Sequence, residues 1–365
     1  MQNYFELKAI KYKNKYLSLR GGMPDTSGLT NPNDILTVYS FNILNPSPQV
    51  TNHLFANIYL DECHKENSKK IIDRIAKIDE KRFNIFRKNT ILDIIDQWYT
   101  NDSQSIICLQ EVNDEIKDEL VTRYGDKIRY TTGDTVEIAQ CVSGDKKNKR
   151  YKKVTMEKRE YRVTIIGDNL SFIKDDQIVM KNKDAQKNGL YTKIQNNKNG
   201  CIIDIFNIHT HYKSTPTDIE IHCKNMMDLI SRDKYIICGD FNTKFSDDGF
   251  VIFKENLENT NDISTRYFRY KDFTSYDTKS KIGEINKEVI DHIIIGNNVI
   301  KFGEPEILYK INNDKGTFYV FYDLEQIIRM IDLDKSDDEI LDDWLRINKN
   351  SNISDHIPIK WKLRC

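Results

Sequence analysis

Residues 235–242, YIICGDFN, carry two polar side chains at the exit of an apolar run. Tyr235, Ile236, Ile237 and Cys238 read as a buried strand, Gly239 lets the backbone turn, and Asp240 and Asn242 follow. Two positions apart on an extended strand, these side chains share a face. A carboxylate there can accept a proton or polarise a hydroxyl, and a carboxamide can donate to an oxyanion. Taken alone, Gly-Asp-x-Asn is better read as a turn after a core strand, since Gly, Asp and Asn are the favoured turn residues.

Other strand-like runs deliver the same kind of cargo. DILTVYSFNILNP ends in Asn42, SIICLQEVND carries Gln110 and Glu111, and CIIDIFNIHTHYKS alternates His209, His211 and Lys213. EVIDHIIIG holds Asp291 and His292, and in NISDHIPIKWKL Ser354, Asp355 and His356 precede a last strand. A buried ionised carboxylate is expensive unless paired or metal-bound. If these strands lie side by side, Asn42, Glu111, His211, Asp240, Asn242, Asp291, Asp355 and His356 converge on one rim. The chemistry they share is phosphodiester hydrolysis assisted by a divalent cation. The oxygen ligands Asn42, Glu111 and Asp355 suit Mg²⁺, with Mn²⁺ as the alternative. A carboxylate or a His–Asp pair activates water, and His and Asn donors meet the charge that builds on phosphorus. For His209 and His292 a satisfied strand histidine is the better reading, and His222 has no functional case.

The elements that must position these residues follow a readable order. Helical spacing covers 71–78 and 84–99, and a helix capped by Asn113 or Asp114 follows the second strand. The pattern dissolves over 124–162. Within that stretch the run from Lys146 to Arg162 is basic with interleaved tyrosines. It reads equally as a solvated hairpin or loop and as a patch that tracks phosphates. Several short strands, the helix TDIEIHCKNMMDLIS and an acidic helix-prone insertion over 323–344 complete the chain. Neither a Gly-rich phosphate loop nor a G-x-S-x-G elbow occurs.

Composition sets the outer bounds. With 365 residues, 39% of them hydrophobic, the chain can bury a substantial core. Its 55 basic and 56 acidic residues nearly cancel, so any nucleic-acid surface must be local. There is no apolar run long enough to span a bilayer and no secretory signal in the sequence. The seven scattered cysteines, among them Cys108, Cys201 and Cys238 in or beside apolar runs, read as reduced core residues. That reading places the protein in the cytoplasm or another reducing compartment.

The ordered series SFNIL, LQEV, THY, GDFN, IDHI and SDHIPI resembles the motifs of the endonuclease/exonuclease/phosphatase (deoxyribonuclease I-like) superfamily, over about residues 34–361. The resemblance implies an α/β fold, a four-layer α/β/β/α sandwich of two mostly antiparallel sheets. It divides the chain into a leader and linker, 1–33, and a catalytic domain, 34–365, with insertions near 124–162 and 301–350. It implies that Asn42 and Glu111 lie on metal-ligand positions, with Asp355 beside them in the terminal motif. His211 is then placed on the scissile phosphate, Asp240 on the attacking water and Asn242 on a phosphate oxygen. His356 is the general base or a phosphate contact, with its tautomer fixed by Asp291. Tyr212 replaces the leucine usual after Thr-His, and His292 the tyrosine usual after Asp291. The phrasing is most similar to the deadenylase and nocturnin-like branch, which implies an RNA, DNA or nucleotide substrate. Tyrosyl-DNA phosphodiesterase, sphingomyelinase and inositol-phosphate phosphatase activities, and a non-catalytic binding module, are the alternatives. The Lys/Tyr-rich leader ending in Gly21-Gly22 resembles those of proteins from amoeba-infecting giant viruses, which implies a viral protein and packaging in the virion.

Overall fold

The computed structural model describes residues 31–44, 74, 77–141, 151–181, 186–211, 214–230, 234–243, 251–253, 255, 257, 265–267, 275–278, 285–288, 290–296, 298–313, 316–319, 335–347, 354 and 356–365. The leader up to residue 30 and the predicted metal ligand Asp355 lie outside the described residues, as do residues 142–150 within the basic stretch.

Strand β1 (Ile35–Asn42) is followed by a π-helical turn (Phe83–Arg87) and helix α1 (Lys88–Asn101). In α1, Ile91, Leu92, Ile94, Ile95 and Trp98 fall at three- and four-residue spacing and are buried. Strand β2 (Ser105–Val112) leads to α2 (Asp114–Tyr124), where Asn113 rather than Asp114 is the cap and accepts the Ile116 N–H at 3.0 Å. The stretch in which the pattern dissolves forms β3 (Ile128–Tyr130), β4 (Asp134–Cys141) and the long β5 (Tyr151–Ile166). The basic run thus enters an antiparallel β4–β5 pair. Strands β6 (Leu170–Lys181), β7 (Gln186–Asn196) and β8 (Ile202–His209) follow, then α3 (Pro216–Met227), opened by a Thr215/Asp218 capping box. The chain continues through β9 (Tyr235–Asp240), β10 (Thr265–Tyr267), β11 (Ser275–Thr278), β12 (Ile285–Glu288) and β13 (Asp291–Gly296). It ends with β14 (Ile300–Lys301), β15 (Glu306–Ile307), β16 (Lys310–Asn313), β17 (Gly316–Tyr319), α4 (Asp337–Ile347) and β18 (Ile359–Arg364).

Two sheets stack. The first runs β14-β18-β1-β2-β5-β3, with β15 on β18 and β4 on β5; the second runs β10-β13-β9-β8-β7-β6. Each sheet is antiparallel except for one central parallel pair, β1–β2 in the first and β8–β9 in the second. Three apolar clusters fill the interfaces of a four-layer α/β/β/α sandwich. One packs α1 and α2 on the first sheet, one lies between the sheets, and one packs α3 on the second. Among the described residues no helix is long and apolar enough to cross a membrane.

The topology positions the site. The parallel pairs send the carboxyl ends of β1, β2, β8 and β9 to one end of the sandwich. Strands β13 and β18 run against β9 and β1, so their beginnings arrive at the same end. There the gap between the sheets turns polar: the Gln110 amide donates to Asn207 Oδ1 at 2.8 Å, and Asn207 donates to the Leu109 and Val163 carbonyls. At the opposite end a disulfide joins Cys201, just before β8, to Cys365, just after β18, with Cα atoms 6.2 Å apart. This corrects the expectation that all the cysteines are reduced. Stacking the sheets brings together two thiols 164 residues apart, a proximity that linear spacing hides. Cys108, Cys223 and Cys238 are free and buried. The pairing removes the observation on which a reducing compartment was inferred.

Candidate active site

Five of the predicted residues meet at the polar end. Asn42 closes β1, and its Nδ2 donates to Glu111 Oε1 and to Asp240 Oδ2, both at 3.0 Å. The backbone beyond Asn42 is held from the helical layer: the buried Arg87 guanidinium donates to the Ile43 carbonyl at 2.8 Å and to that of Leu44. Asn42 Oδ1 in turn accepts the Leu44 N–H at 3.1 Å. Asp291 opens β13 directly opposite Asp240 in the register. His356 places Nδ1 2.9 Å from Asp291 Oδ2, with Nε2 3.7 Å from Asp240 Oδ2. With Nδ1 on Asp291, Nε2 faces Asp240. The Ser354 hydroxyl donates to the Asn42 carbonyl at 2.7 Å and accepts the His356 N–H at 3.1 Å, which ties the terminal motif to the end of β1.

The backbone is distorted where these side chains leave the strands. Glu111 has φ 56° and Asn242 φ 48°; with Leu44 they are the non-glycine residues at positive φ among the described residues. At Glu111 the distortion belongs to a register shift between Leu109 and Val112 in the β2–β5 ladder, a bulge that re-aims the carboxylate. Non-glycine residues held at positive φ cost about 1–3 kcal/mol each and gather at functional sites. Gly239 has φ 139°, and a Cβ there would lie 1.9 Å from the Ile208 carbonyl oxygen, so only glycine lets β8 and β9 close beneath the site.

Two positions differ from their predicted geometry. Strand β9 stops at Asp240, so Asn242 does not share a strand face with it. Instead the Asn242 N–H donates to Asp240 Oδ1 and its Nδ2 to the Thr210 carbonyl, each at 2.8 Å. Strand β8 stops at His209, leaving His211 half-buried just beyond it, with its carbonyl accepting the Ser214 N–H. His209 itself enters the rim, Nε2 lying 3.5 Å from Asp240 Oδ2 and 3.8 Å from Glu111 Oε1. His209 is thus a buried strand histidine that also stands beside the rim. For His292 the reading as a satisfied strand histidine holds: Nε2 meets the Thr243 carbonyl at 2.8 Å and the ring packs edge-on against Phe241. Burial lowers its pKa to about 4.

The electrostatics are those of crowded anions. Burial pushes the Asp240 carboxyl up to about 7; nearby His356 opposes this, Asp291 adds to it, the Asn242 N–H opposes it, and Glu111 adds to it. Burial, then the cations Lys187 and Arg162, hold His209 well below the usual imidazole range, so it is neutral. Ligand atoms of Glu111, His209 and Asp240, and separately of Asp240, Asp291 and His356, lie within 4.8 Å of one another. A divalent cation fits this donor set, because it relieves the repulsion that burial amplifies. A half-turn of the Asn42 amide would present Oδ1 instead of Nδ2 to such an ion.

Sequence reasoning missed Arg87, Lys187 and Arg162. Arg87 lies in a helical stretch, and the other two sit in strands with no motif around them. The sole signal was the basic character near Arg162.

No protein-family model and no curated protein sequence matches the chain. Among solved structures, similar folds include an endonuclease/exonuclease/phosphatase from Bacteroides vulgatus. It is 14% identical, with a TM-score of 0.49, over 90% of this chain and 98% of that one. The human nocturnin catalytic domain with bound sulfate is 12% identical, with a TM-score of 0.46, over 92% and 95%. D. rerio TDP2 complexed with single-strand DNA product is 9% identical, with a TM-score of 0.46, over 91% and 99%.

Proposed function

We propose that the chain is a divalent-metal-dependent phosphodiesterase of the endonuclease/exonuclease/phosphatase type that hydrolyses nucleic acid or nucleotide by in-line attack of water. The observation that carries this reading is the buried junction of two units. The Asn42–Glu111–Asp240 carboxylate cluster shares Asp240 with the His356–Asp291 pair. Glu111, Asp240 and Asn42, joined by His209 or Asp355, would hold Mg²⁺ or Mn²⁺. The bound ion supplies Lewis-acid polarisation of a phosphate oxygen and stabilises the leaving oxygen.

The chain's own residues do the rest. Asp240 and His356 Nε2 face one another, and the attacking water loses its proton to this pair. Asp291 holds His356 Nδ1–H and so keeps Nε2 available. Asn242 and His211 flank the strand exits, where the phosphate oxygens gain charge. The basic run 146–162 includes the part of β5 that pairs with β4, and Tyr161 at its end pairs with Val112 next to Glu111, which favours a polyanionic substrate. The deadenylase-like branch, the boundaries 1–33 and 34–365, and a giant-virus origin for the leader belong to the same proposal.

The test is a substrate panel of poly(A) RNA, abasic DNA, 5′-tyrosyl DNA, dinucleotides, sphingomyelin and inositol phosphates, assayed with Mg²⁺, with Mn²⁺ and with EDTA. Cleavage of a nucleic acid or nucleotide that EDTA, Glu111→Gln and Asp240→Asn each abolish is the expected result. Activity confined to sphingomyelin or inositol phosphates would overturn the substrate class. Failure to cleave any member would leave a binding module.

A further inference from the structure

Lys187, near the start of β7, is a cation that the assignments above leave without a role. Its ammonium lies 2.9 Å from His209 Nε2 and 3.2 Å from Nδ1, donating to a ring whose Nε2 also faces Asp240 and Glu111. Among the described residues it makes no other polar contact and no ion pair with a carboxylate. An ammonium has three N–H donors, so a half-buried one facing an imidazole keeps donors to spare beside the carboxylate rim. Such a group binds an anionic oxygen well, because a charge-assisted bond in a partly dry site is about twice as strong as a neutral one.

The strand carrying Lys187 is clamped across the gap between the sheets. The neighbouring Asn188 donates from N and Nδ2 to Asp134 at 3.0 and 2.6 Å, and Asp134 pairs with Arg162 Nη1 at 2.6 Å. Arg162 is fully buried; Nη1 also reaches the Glu160 carbonyl at 3.4 Å, while Nε and Nη2 are without hydrogen-bond partners. Two cations, Lys187 and the Asp134-paired Arg162, one from each sheet, therefore stand on the His209 side of the rim. The His356–Asp291 pair occupies the other side of Asp240. The Lys187 charge, paired by no carboxylate among the described residues and set beside a cluster of acids, has the character of a receptor for substrate anion.

We propose that Lys187 is a further substrate-contacting residue, whose ammonium takes a non-bridging phosphate oxygen of the substrate on the His209 side of the Glu111–Asp240 rim. The assignment rests on the phosphoester reading of this site and names the protein group that grips the phosphate there. Anion binding transfers the ammonium from His209 to the incoming oxygen and frees His209 Nε2 toward the carboxylates.

The test uses the full chain and two readouts. In calorimetry without metal, wild type binds inorganic phosphate, Lys187→Met weakens that binding at least tenfold, and Lys187→Arg stays within a few-fold of wild type. In steady-state hydrolysis of the best panel substrate, Lys187→Met lowers kcat/KM by about 10²-fold, the scale for removing one charge-stabilising donor. Lys187→Arg recovers most of that loss, and both variants keep the wild-type unfolding midpoint. No phosphate binding by wild type, or Lys187→Met indistinguishable from it in both readouts, overturns the proposal. The phosphoester reading fails separately, when Asp240→Asn hydrolyses the substrate as wild type does; the metal-free phosphate measurement still reads Lys187 in that event.

Discussion

The two ends of the gap between the sheets are built from the same strands and differ in almost everything else. At the end where β1, β2, β8 and β9 begin, the gap is filled by residues such as Leu36, Ile106, Ile203 and Trp361, all nearly inaccessible, and is stapled by Cys201–Cys365. At the end where those strands finish, the same gap holds Gln110, Asn207, Asn42, His209, Asp240, Asp291 and His356, also buried. The first end lowers free energy through apolar contact, about 1.5–3 kcal/mol for each large side chain buried. The second gathers like charges and positive-φ backbone, both of which raise it. One end therefore stabilises the sandwich while the other holds a strained, polar arrangement that a divalent cation and a substrate would relieve.

Substitutions sharpen this contrast, and the largest effect falls where the two strategies meet. Gly239→Ala drives a Cβ into the Ile208 carbonyl at positive φ, and a loss above about 4 kcal/mol, seen as insoluble or unfolded protein, is expected. A soluble variant with an unchanged unfolding midpoint would refute the close approach of β8 and β9. Next, Glu111→Gln and Asp240→Asn each reduce kcat by about 10²–10³-fold while the fold survives, as circular dichroism and the rate assay together report. At the apolar end the signs reverse: Cys201→Ala lowers stability by about 2–4 kcal/mol in denaturant melts and leaves kcat unchanged.

A smaller effect concerns pH. The pKa of the Asp240 carboxyl is raised in the folded state, so the stability it contributes is full below the ordinary carboxyl value of 3.8 and lost as pH rises through about 7. Asp240→Asn keeps that stability. In metal-free protein at pH 8 the variant should exceed wild type by on the order of 1–3 kcal/mol, with the gap closing as pH falls toward 4. A variant less stable than wild type at pH 8 would mean that the acid is not crowded. The smallest effect is Ile205→Val in the apolar gap, about 0.5–1.5 kcal/mol with no change in rate.

Much of this was legible because strand exits write both their geometry and their cargo locally. Apolar runs ending in Asn42, Glu111 and Asp240, with His356 just before the last strand, announced a rim, and the six ordered motifs announced the sandwich. Strand alternation misled where strands stop early. Asn242 leaves β9 through a left-handed turn, and β8 ends at His209, whose ring lies beside the rim, while His211 follows the strand. Long-range pairings left no local trace. Cys201 meets Cys365, Arg87 reaches the backbone after β1, and Arg162 reaches Asp134 only because the layers stack. Lys187 sits in a strand with no motif, so its place beside His209 depends on the β7–β8 pairing and could not be read from spacing.

The most direct test of the central claim, that the polar end is a divalent-cation site, is titration calorimetry of the metal-free chain with Mg²⁺ and Mn²⁺ between pH 5.5 and 8.5. Binding must displace the Asp240 proton below its pKa. Affinity should therefore rise by up to about tenfold per pH unit until about pH 7 and level off above it, with proton release fading over the same range. Glu111→Gln and Asp240→Asn should both abolish the signal. Binding that is independent of pH and survives both substitutions would contradict the account.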